Sequence, residues 1–241
     1  ALKRKQLFSK SISFLGLVVL VAFFAVVTGG QLLNPDNLML IFKQGFTLFI
    51  AALAAVFIMA TGNLDFSIGA NVGFSCAICA LVAKSVSPVA GVAAALCVGA
   101  LIGAANGVII TKLKMPSFIT CLCMMFILMA ATQTVCSNEG GSISMPLSMR
   151  RWESVGMYVV IGVIYFAVML VMFRYTKFGK YMKALGVSVE ASRQSGVGVD
   201  KMIFLGYLLS GAAAGFAGFL TMLRVGGASQ TTGMAMTNDV I

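Results

Sequence analysis

Residues 48–83 read LFIAALAAVFIM, then ATGNLDFSIGAN, then VGFSCAICALVA, so that one carboxylate, Asp65, lies between two uninterrupted apolar runs. A charge in such a position costs free energy unless it faces water or a partner. What surrounds the chain therefore decides the fold. Comparable apolar runs recur along the sequence, and each is roughly twenty residues long, the length that spans the hydrocarbon core of a bilayer.

The amino-acid composition also indicates that lipid surrounds the chain. The chain has 241 residues, of which 60% are hydrophobic and only 10% charged, and its mean hydropathy is +1.01. A soluble domain needs about a quarter of its residues charged. The sequence therefore predicts an all-α, polytopic transmembrane helical bundle. The predicted spans are residues 12–30, 38–61, 66–83, 89–111, 117–136, 155–173 and 202–223, the first of them uncleaved.

The distribution of lysine and arginine predicts the orientation of these spans. With the N-terminus in the cytoplasm, the inside segments hold twelve of the 17 basic residues and the outside segments five. Basic residues accumulate on the cytoplasmic side of membrane proteins. We therefore expect a multi-pass protein of the bacterial inner membrane with a cytoplasmic N-terminus. A net charge of +10 could also suggest nucleic acid, but these cations punctuate apolar spans instead of forming one basic stripe.

This topology places Asp65 at the cytoplasmic end of the third span. There Asp65 or Ser67 could cap the free N–H groups at the start of the helix, where the helix dipole favours a carboxylate.

Small residues in two of the predicted spans indicate close helix packing. Glycines at helical spacing let helices approach closely in lipid: Gly99, Gly103 and Gly107 in the fourth span, and Gly211, Gly215 and Gly218 in the seventh.

Residues 174–201, RYTKFGKYMKALGVSVEASRQSGVGVDK, form the one long cytoplasmic connection between two spans. Glycines divide this segment into short pieces, and SVEASRQS predicts a short surface helix with Ser188 as its N-cap. A solvated basic loop is the alternative, but a connection organised in this way is typical of a surface that a partner contacts.

The sequence contains no motif that indicates catalysis, metal binding or nucleotide binding. The sequence has no histidine and no phosphate-binding G-x-x-x-x-G-K-[ST] loop, and its seven acidic residues lie in predicted loops or at span ends. We therefore expect no catalytic residue, no metal site and no cofactor on this chain. The six cysteines lie in or beside apolar runs, where packing explains them better than metal binding or redox work does. A proton- or sodium-coupled carrier would keep ionisable groups near the bilayer centre.

Three blocks resemble the membrane permeases of ribose/galactose-type ABC importers, which are relatives of the autoinducer-2 permeases. Thr61–Gly69 resembles the family's G-G-I-D-L-S-V-G block, and Asn106–Thr120 resembles its N-G-L-L-I block with the following P-p-F-I. The segment from Thr176 to Gly196, with Glu190-Ala-Ser-Arg-Gln-Ser-Gly, resembles the family's F-G-r and E-A-A-r region. Val187-Ser188 replaces the usual Gly-Asn, and Ser192 replaces the second alanine.

The resemblance implies a function and a set of partners. The protein would be the permease half of an importer for a small hydrophilic ligand, with residues 1–241 as one permease domain and residues 174–201 as its coupling loop. A periplasmic or lipid-anchored binding protein would deliver the ligand, and a pair of cytoplasmic ATPase subunits with ATP and magnesium would supply the energy. A second permease copy, identical or not, would complete the pore, and the family continues about three spans beyond Ile241.

The resemblance and the residue types together predict three groups of site residues. Coupling to the ATPase is assigned to Glu190, Ala191, Ser192, Arg193 and Gly196. A path lined by uncharged polar groups suits a neutral polyol, and its candidates are Asn63, Asn71, Asn106, Thr132 and Gln133. Adjacent arginines in an outer loop, Arg150 and Arg151, would either contact lipid headgroups or dock the binding protein.

Other functions remain open from the sequence alone. A monosaccharide is the commonest ligand among importers of this kind, and autoinducer-2 and nucleosides are the alternatives. A secondary carrier or facilitator would need no ATPase, and a membrane scaffold would not transport at all. Co-purification of a nucleotide-binding subunit separates the importer from both.

Overall fold

The computed structural model describes residues 2–233, with side chains from residue 15 onward. The helices are, in chain order, α1 (Leu2–Val27), α2 (Pro35–Met59), α3 (Ile68–Ser85), α4 (Pro88–Lys112), α5 (Ser117–Asn138), α6 (Val155–Tyr175), α7 (Lys177–Val187), α8 (Val189–Gln194) and α9 (Val199–Val225). Between them lie two 3-10 helices, Gln31–Leu33 and Leu147–Trp152, and the strands β1 (Ser142–Ser144) and β2 (Gly227–Ser229). The side chains of Lys3, Arg4, Lys5 and Lys10 and the residues after Gly233 lie outside the described part of the chain.

The predicted all-α transmembrane bundle is confirmed. Among the described residues, six helices are long and apolar enough to cross a membrane, namely α2, α3, α4, α5, α6 and α9. Their bounds lie within three residues of the predicted spans. The first predicted span corresponds to α1, whose described apolar part is Leu15–Val27.

The chain divides into two compact units, with the boundary between Lys43 and Gln44. The first unit holds α1 and the beginning of α2. Asn34 starts α2 because its side-chain oxygen accepts the N–H of Asp36, at 3.2 Å, and Pro35 occupies the first helical position, where the missing N–H costs nothing. The aliphatic side chains of α1 from Leu15 onward are mostly exposed, as expected of a helix that faces lipid.

In the second unit, α3, α4 and α9 form the packed centre. Glycines face each other where α4 crosses α9, and a Cβ added at Gly99 would lie 2.6 Å from the Cα of Gly215, while one at Gly103 would lie 2.9 Å from the Cα of Gly211. Such distances are far below van der Waals contact, so the two backbones touch directly. The predicted role of these glycines in close packing is confirmed.

Connections gather at two opposite ends of this second unit. At one end, the Lys114 ammonium lies 2.9 Å from the Asp200 carboxylate and joins the α4–α5 turn to the start of α9. At the other end, Lys84 pairs with Glu139 at 2.7 Å, and β1 pairs antiparallel with β2. The first end holds the segments that the sequence predicts to be cytoplasmic, and the second holds those predicted to be external.

The long connection at residues 174–201 is more ordered than predicted. It contains two helices, since α7 precedes the expected short helix α8. Sequence analysis treated the glycines at 179 and 186 as breakers, and that interpretation was wrong. Both lie inside α7 at points of close contact with residues outside this helix. A Cβ added at Gly179 would lie 2.6 Å from the Met172 carbonyl oxygen, and one added at Gly186 would lie 3.1 Å from the Ala60 carbonyl carbon.

Candidate functional site

Ser188 joins α7 to α8 without an intervening loop. Its backbone is extended, its N–H donates to the Ala184 carbonyl at 3.1 Å, and its hydroxyl oxygen accepts the N–H of Ala191 at 3.2 Å. One residue thus ends α7 and caps α8. The sequence prediction of a short helix with Ser188 as its N-cap is confirmed.

The other end of α8 is closed by Gly196. This residue has φ +81°, its N–H donates to the Arg193 carbonyl, and the N–H of Val197 donates to the Ser192 carbonyl, both at 3.0 Å. This pair of bonds is the Schellman arrangement, which needs a left-handed residue after the helix. Gly196 therefore has a conformational reason to be glycine, and it fixes the direction in which the chain leaves toward α9.

The helix α8 presents one small surface outward. Glu190, Ala191 and Arg193 are exposed, whereas Ser192 is only 6% exposed and donates its hydroxyl to the Ser188 carbonyl at 2.8 Å. The Ser192 hydroxyl thus stabilises α8, and the assignment of this residue to the coupling surface stays a prediction. A groove of about 500 Å³ lies between α7 and α8, and its lining includes Tyr181, Ala184, Val187, Ala191 and Ser195.

A buried polar cluster lies beneath this end of the bundle, around the α2–α3 turn. The Asp65 carboxylate accepts the N–H of Ser67 at 2.9 Å and its hydroxyl at 2.6 Å, and the Asn106 amide of α4 donates to the Ser67 oxygen at 2.8 Å. From α9, the Tyr207 hydroxyl donates to the Leu64 carbonyl at 3.1 Å. These bonds tie the turn to α4 and α9, and Asp65 is only 6% exposed.

The cap predicted at the start of α3 is absent. Ser67 occupies the N-cap position, but its side chain accepts no N–H from the first turn of α3, and its hydroxyl donates to Asp65 instead. Asp65 in turn binds the N–H of Ser67, which lies before the helix. Sequence analysis placed Asp65 at the cytoplasmic end of the third span, and its burial was not visible from the local pattern.

Burial raises the pKa of the Asp65 carboxyl above its ordinary value of 3.8, and hydrogen bonds from Ser67 oppose this only in part. Because the folded protein then binds the proton more tightly than the unfolded chain does, the contribution of this carboxyl to the free energy of unfolding is fully present below pH 3.8 and is lost as the pH rises through the folded pKa. Asp65→Asn keeps an oxygen that can accept both Ser67 bonds. We expect this variant to flatten the fall in apparent Tm between acidic and neutral pH in detergent.

The control for this prediction is Asp36→Asn, which removes an exposed carboxylate from the first turn of α2. It should leave the pH profile of the apparent Tm unchanged in shape. Asp65→Leu, in contrast, leaves the buried Ser67 donors unsatisfied and should cost about 1–3 kcal/mol at every pH. A pH profile of Asp65→Asn that parallels the wild-type profile would show that this carboxyl does not titrate between the two states.

The five residues predicted to line a path differ in their burial. Asn71 and Asn106 are buried between helices, and the Asn71 amide donates to the Gly99 carbonyl at 3.3 Å while its oxygen accepts the Ser75 hydroxyl at 3.1 Å. Thr132 is also buried and donates to its own helix. Asn63 is half-buried in the α2–α3 turn, and Gln133 is exposed on α5.

The two arginines predicted on an outer loop, Arg150 and Arg151, lie in the 3-10 helix Leu147–Trp152, and both are exposed. The same helix buries Met149 completely. This anchors the arginines on the bundle while their charged groups point outward. They occupy the end of the second unit opposite α8.

Sequence reasoning missed the exposed basic side of α7 as an organised surface. Its signal was present as apolar residues at a spacing of three, at Gly179, Met182 and Leu185, which the structure buries. Lysines also recur at a spacing of three, at Lys177, Lys180 and Lys183, and all three are exposed. A helical periodicity test over residues 177–187 would have separated the two faces.

Comparison with known proteins gives this architecture a family. Residues 37–241 match the family described as branched-chain amino acid transport system / permease component. The ribose import permease protein RbsC of Escherichia coli strain K12 is 29% identical over 239 residues, covering 95% of this chain and 74% of the relative. No solved structure gives a significant match.

Two further relatives are also import permease proteins. The galactose/methyl galactoside import permease protein MglC of Escherichia coli strain K12 is 30% identical over 256 residues, covering 93% of this chain and 74% of the relative. The fructose import permease protein FrcC of Rhizobium meliloti is 29% identical over 231 residues, covering 90% of this chain and 64% of the relative. With a family match over most of its length and six helices able to cross a membrane in the part that the structure describes, this multi-pass chain belongs to that family of transport-system permease components.

Proposed function

We propose that the chain is the membrane-spanning permease subunit of an ATP-binding-cassette importer for a monosaccharide. The match of residues 37–241 to the permease family carries the proposal, and the sugar import permeases among its relatives support the ligand class. ATP and magnesium would bind to partner ATPase subunits, and a binding protein would deliver the sugar. The whole chain would act as one permease domain that pairs with a second copy.

The proposal includes a cytoplasmic N-terminus, so that α8 faces the ATPase. In the second unit, the end that holds α8 carries eight lysines and arginines, and the opposite end carries four. Positive charge favours the cytoplasmic side. The exposed residues Glu190, Ala191 and Arg193, held by the Ser188 and Gly196 caps, would then form the coupling surface.

Uptake by the assembled transporter tests the function. Affinity purification of the tagged permease from its native membrane should recover an ATP-hydrolysing subunit, and proteoliposomes of this complex with the binding protein should take up a labelled monosaccharide only with ATP. Uptake driven by a proton or sodium gradient alone would indicate a secondary carrier. An assembled complex that transports neither sugars nor nucleosides would indicate a scaffold.

The exposed side of α5 supports an uncharged ligand. In the outer half of this helix the exposed positions are small or polar, namely Ala130, Gln133, Thr134, Ser137 and Asn138. Gln133 lies five residues before the end of α5, and no partner for its amide is present among the described residues. An amide that faces hydrocarbon without a partner is costly. We therefore propose that Gln133 faces the translocation path. Such an uncharged lining suits a neutral ligand, whereas an amino acid zwitterion would require charged groups in the path.

Cysteine labelling tests this placement. In a cysteine-free background, Gln133→Cys should react with an aqueous thiol reagent in at least one nucleotide state of the assembled transporter, because the side chain lies on the exposed side of α5. Thr132→Cys is the matched control, since the neighbouring side chain is 2% exposed and should not react. If the cysteine at position 133 stays unreactive in every state, α5 does not line the path.

Arg150 and Arg151 would dock the binding protein, because arginine pairs with carboxylates in a bidentate manner. Exposed charges of this kind act mainly on the rate of encounter and weaken with salt. Reversing both to glutamate should slow association of the binding protein, most strongly at low ionic strength, while basal ATP hydrolysis stays intact. The measurement is the association rate as a function of salt. Unchanged kinetics would assign the pair to lipid headgroups.

A further inference from the structure

The helix α7 packs against the terminal parts of three candidate membrane spans, α2, α6 and α9. It begins two residues after α6 ends at Tyr175. Its Phe178 ring stacks on Phe57, in the last turn of α2, with centroids 5.5 Å apart. Its buried Met182 fills the space beside Gly206, about two turns into α9. A helix that packs near the ends of its neighbouring spans is expected to run along the membrane boundary and not away from it.

The position of Lys183 indicates how deep the lysine-bearing side of α7 lies relative to the spans. The Lys183 ammonium lies 4.8 Å from the centroid of the Phe173 ring, and Phe173 belongs to the last turn of α6. The ammonium therefore sits beside a residue of the span itself. The polar headgroup layer is about 5–8 Å thick on each side of the hydrocarbon core. Lys183 reaches this layer.

Three lysines lie on the exposed side of α7, together with Tyr181, Ala184 and Val187. Lys177, Lys180 and Lys183 lie within an arc of about 120° at 100° per residue, opposite the buried Gly179, Met182 and Leu185. The helix contains no acidic residue. Among the described side chains, no carboxylate pairs with any of the three lysines, in contrast to Lys84 and Lys114.

We propose that α7 is an interfacial helix whose three lysines bind the phosphate groups of anionic phospholipids. Basic amphipathic helices at a membrane surface bind anionic lipid, and the long lysine stem lets the ammonium reach a phosphate while its methylenes stay on apolar surface. An acidic protein surface offers the same charge. The depth of Lys183 beside Phe173 favours the headgroup layer.

Lipid bound here would also hold the neighbouring helix in place. Ser188 ends α7 and caps α8 with bonds of 3.1 and 3.2 Å, so no flexible residue separates the two helices. The height of α7 in the headgroup layer therefore sets the height of α8. This inference rests on the packing of α7 and is independent of which ligand the permease carries.

Lipid titration of the purified full-length permease tests the proposal. Delipidated protein in detergent is titrated with phosphatidylglycerol and, separately, phosphatidylcholine, and bound lipid is counted by native mass spectrometry. Each basic residue near an anionic surface contributes about a fivefold gain in affinity. K177Q/K180Q/K183Q should therefore weaken phosphatidylglycerol binding by tenfold or more and leave phosphatidylcholine binding unchanged.

Two matched variants keep the result interpretable. K112Q/R193Q/K201Q removes three other basic residues from the same end of the bundle and should weaken phosphatidylglycerol binding clearly less than the α7 variant does. K177R/K180R/K183R keeps the charge and should also bind normally, which separates charge loss from misfolding. Equal losses in both glutamine variants, or no loss in the α7 variant, would overturn the proposal.

The protein alternative is tested in bilayers without anionic lipid. In nanodiscs of phosphatidylcholine alone, K177Q/K180Q/K183Q should assemble with the ATPase subunits as the wild type does. Loss of assembly in these nanodiscs would assign the lysines to the ATPase interface and contradict lipid binding.

Discussion

Ala191→Trp is expected to abolish transport and transport-coupled ATP hydrolysis while the permease is still expressed and inserted. Ala191 is exposed on α8 and lines the groove of about 500 Å³ between α7 and α8. An indole would fill this groove and push away any partner surface that fits it. Because the Ala191 side chain points outward, the larger group should not disturb the caps at Ser188 and Gly196. The measurements are labelled-sugar uptake and ATP hydrolysis by the assembled transporter.

Two controls separate coupling from general damage. Ala191→Ser adds one oxygen at the same position and should retain most of the activity. Lys112→Trp places the same indole at the exposed end of α4, outside the groove, and should transport normally. Full activity of Ala191→Trp would remove α8 from the coupling surface. Loss of assembly without loss of expression would place the effect at the docking step.

The periodicity of apolar residues and the spacing of particular residue types allowed much of the fold to be predicted from the sequence. The apolar runs gave the spans, because a bilayer demands uninterrupted helices of a fixed length. Ser188 gave the start of α8, since a cap is a local interaction between residues three apart. The glycines on α4 and α9 gave close packing because their spacing places them on one side of a helix.

What sequence reasoning missed depends on long-range contacts. Asp65 is buried by helices that are distant in sequence, and its neighbours Asn106 and Tyr207 could not be inferred from the α2–α3 turn. Gly179 and Gly186 were taken as breakers because their need for space arises from other helices.

Replacing glycine where α4 crosses α9 should have the largest effect on stability. A Cβ at Gly103 would lie 2.9 Å from the Cα of Gly211 and closer still to the Tyr207 carbonyl oxygen. The obstacle is backbone, so no rotamer change relieves it. Gly103→Ala should destabilise the bundle by about 1–3 kcal/mol. Gly103→Val adds two methyl groups to the same contact and should prevent a stable fold. The measurement is thermal unfolding in detergent, with monodispersity on size exclusion as the second readout.

Gly45→Ala is the matched control for this prediction. Gly45 lies within α2, and a Cβ there would meet nothing within 4 Å. Alanine is the better helix former by up to about 1 kcal/mol, so this variant should be as stable as the wild type or more so. The same added methyl group thus has opposite signs at two helical glycines, because only one of them touches another backbone. Equal apparent Tm values for Gly103→Ala and Gly45→Ala would mean that α4 and α9 can separate at little cost, and the direct contact between their backbones would then not be what holds the centre of the bundle together.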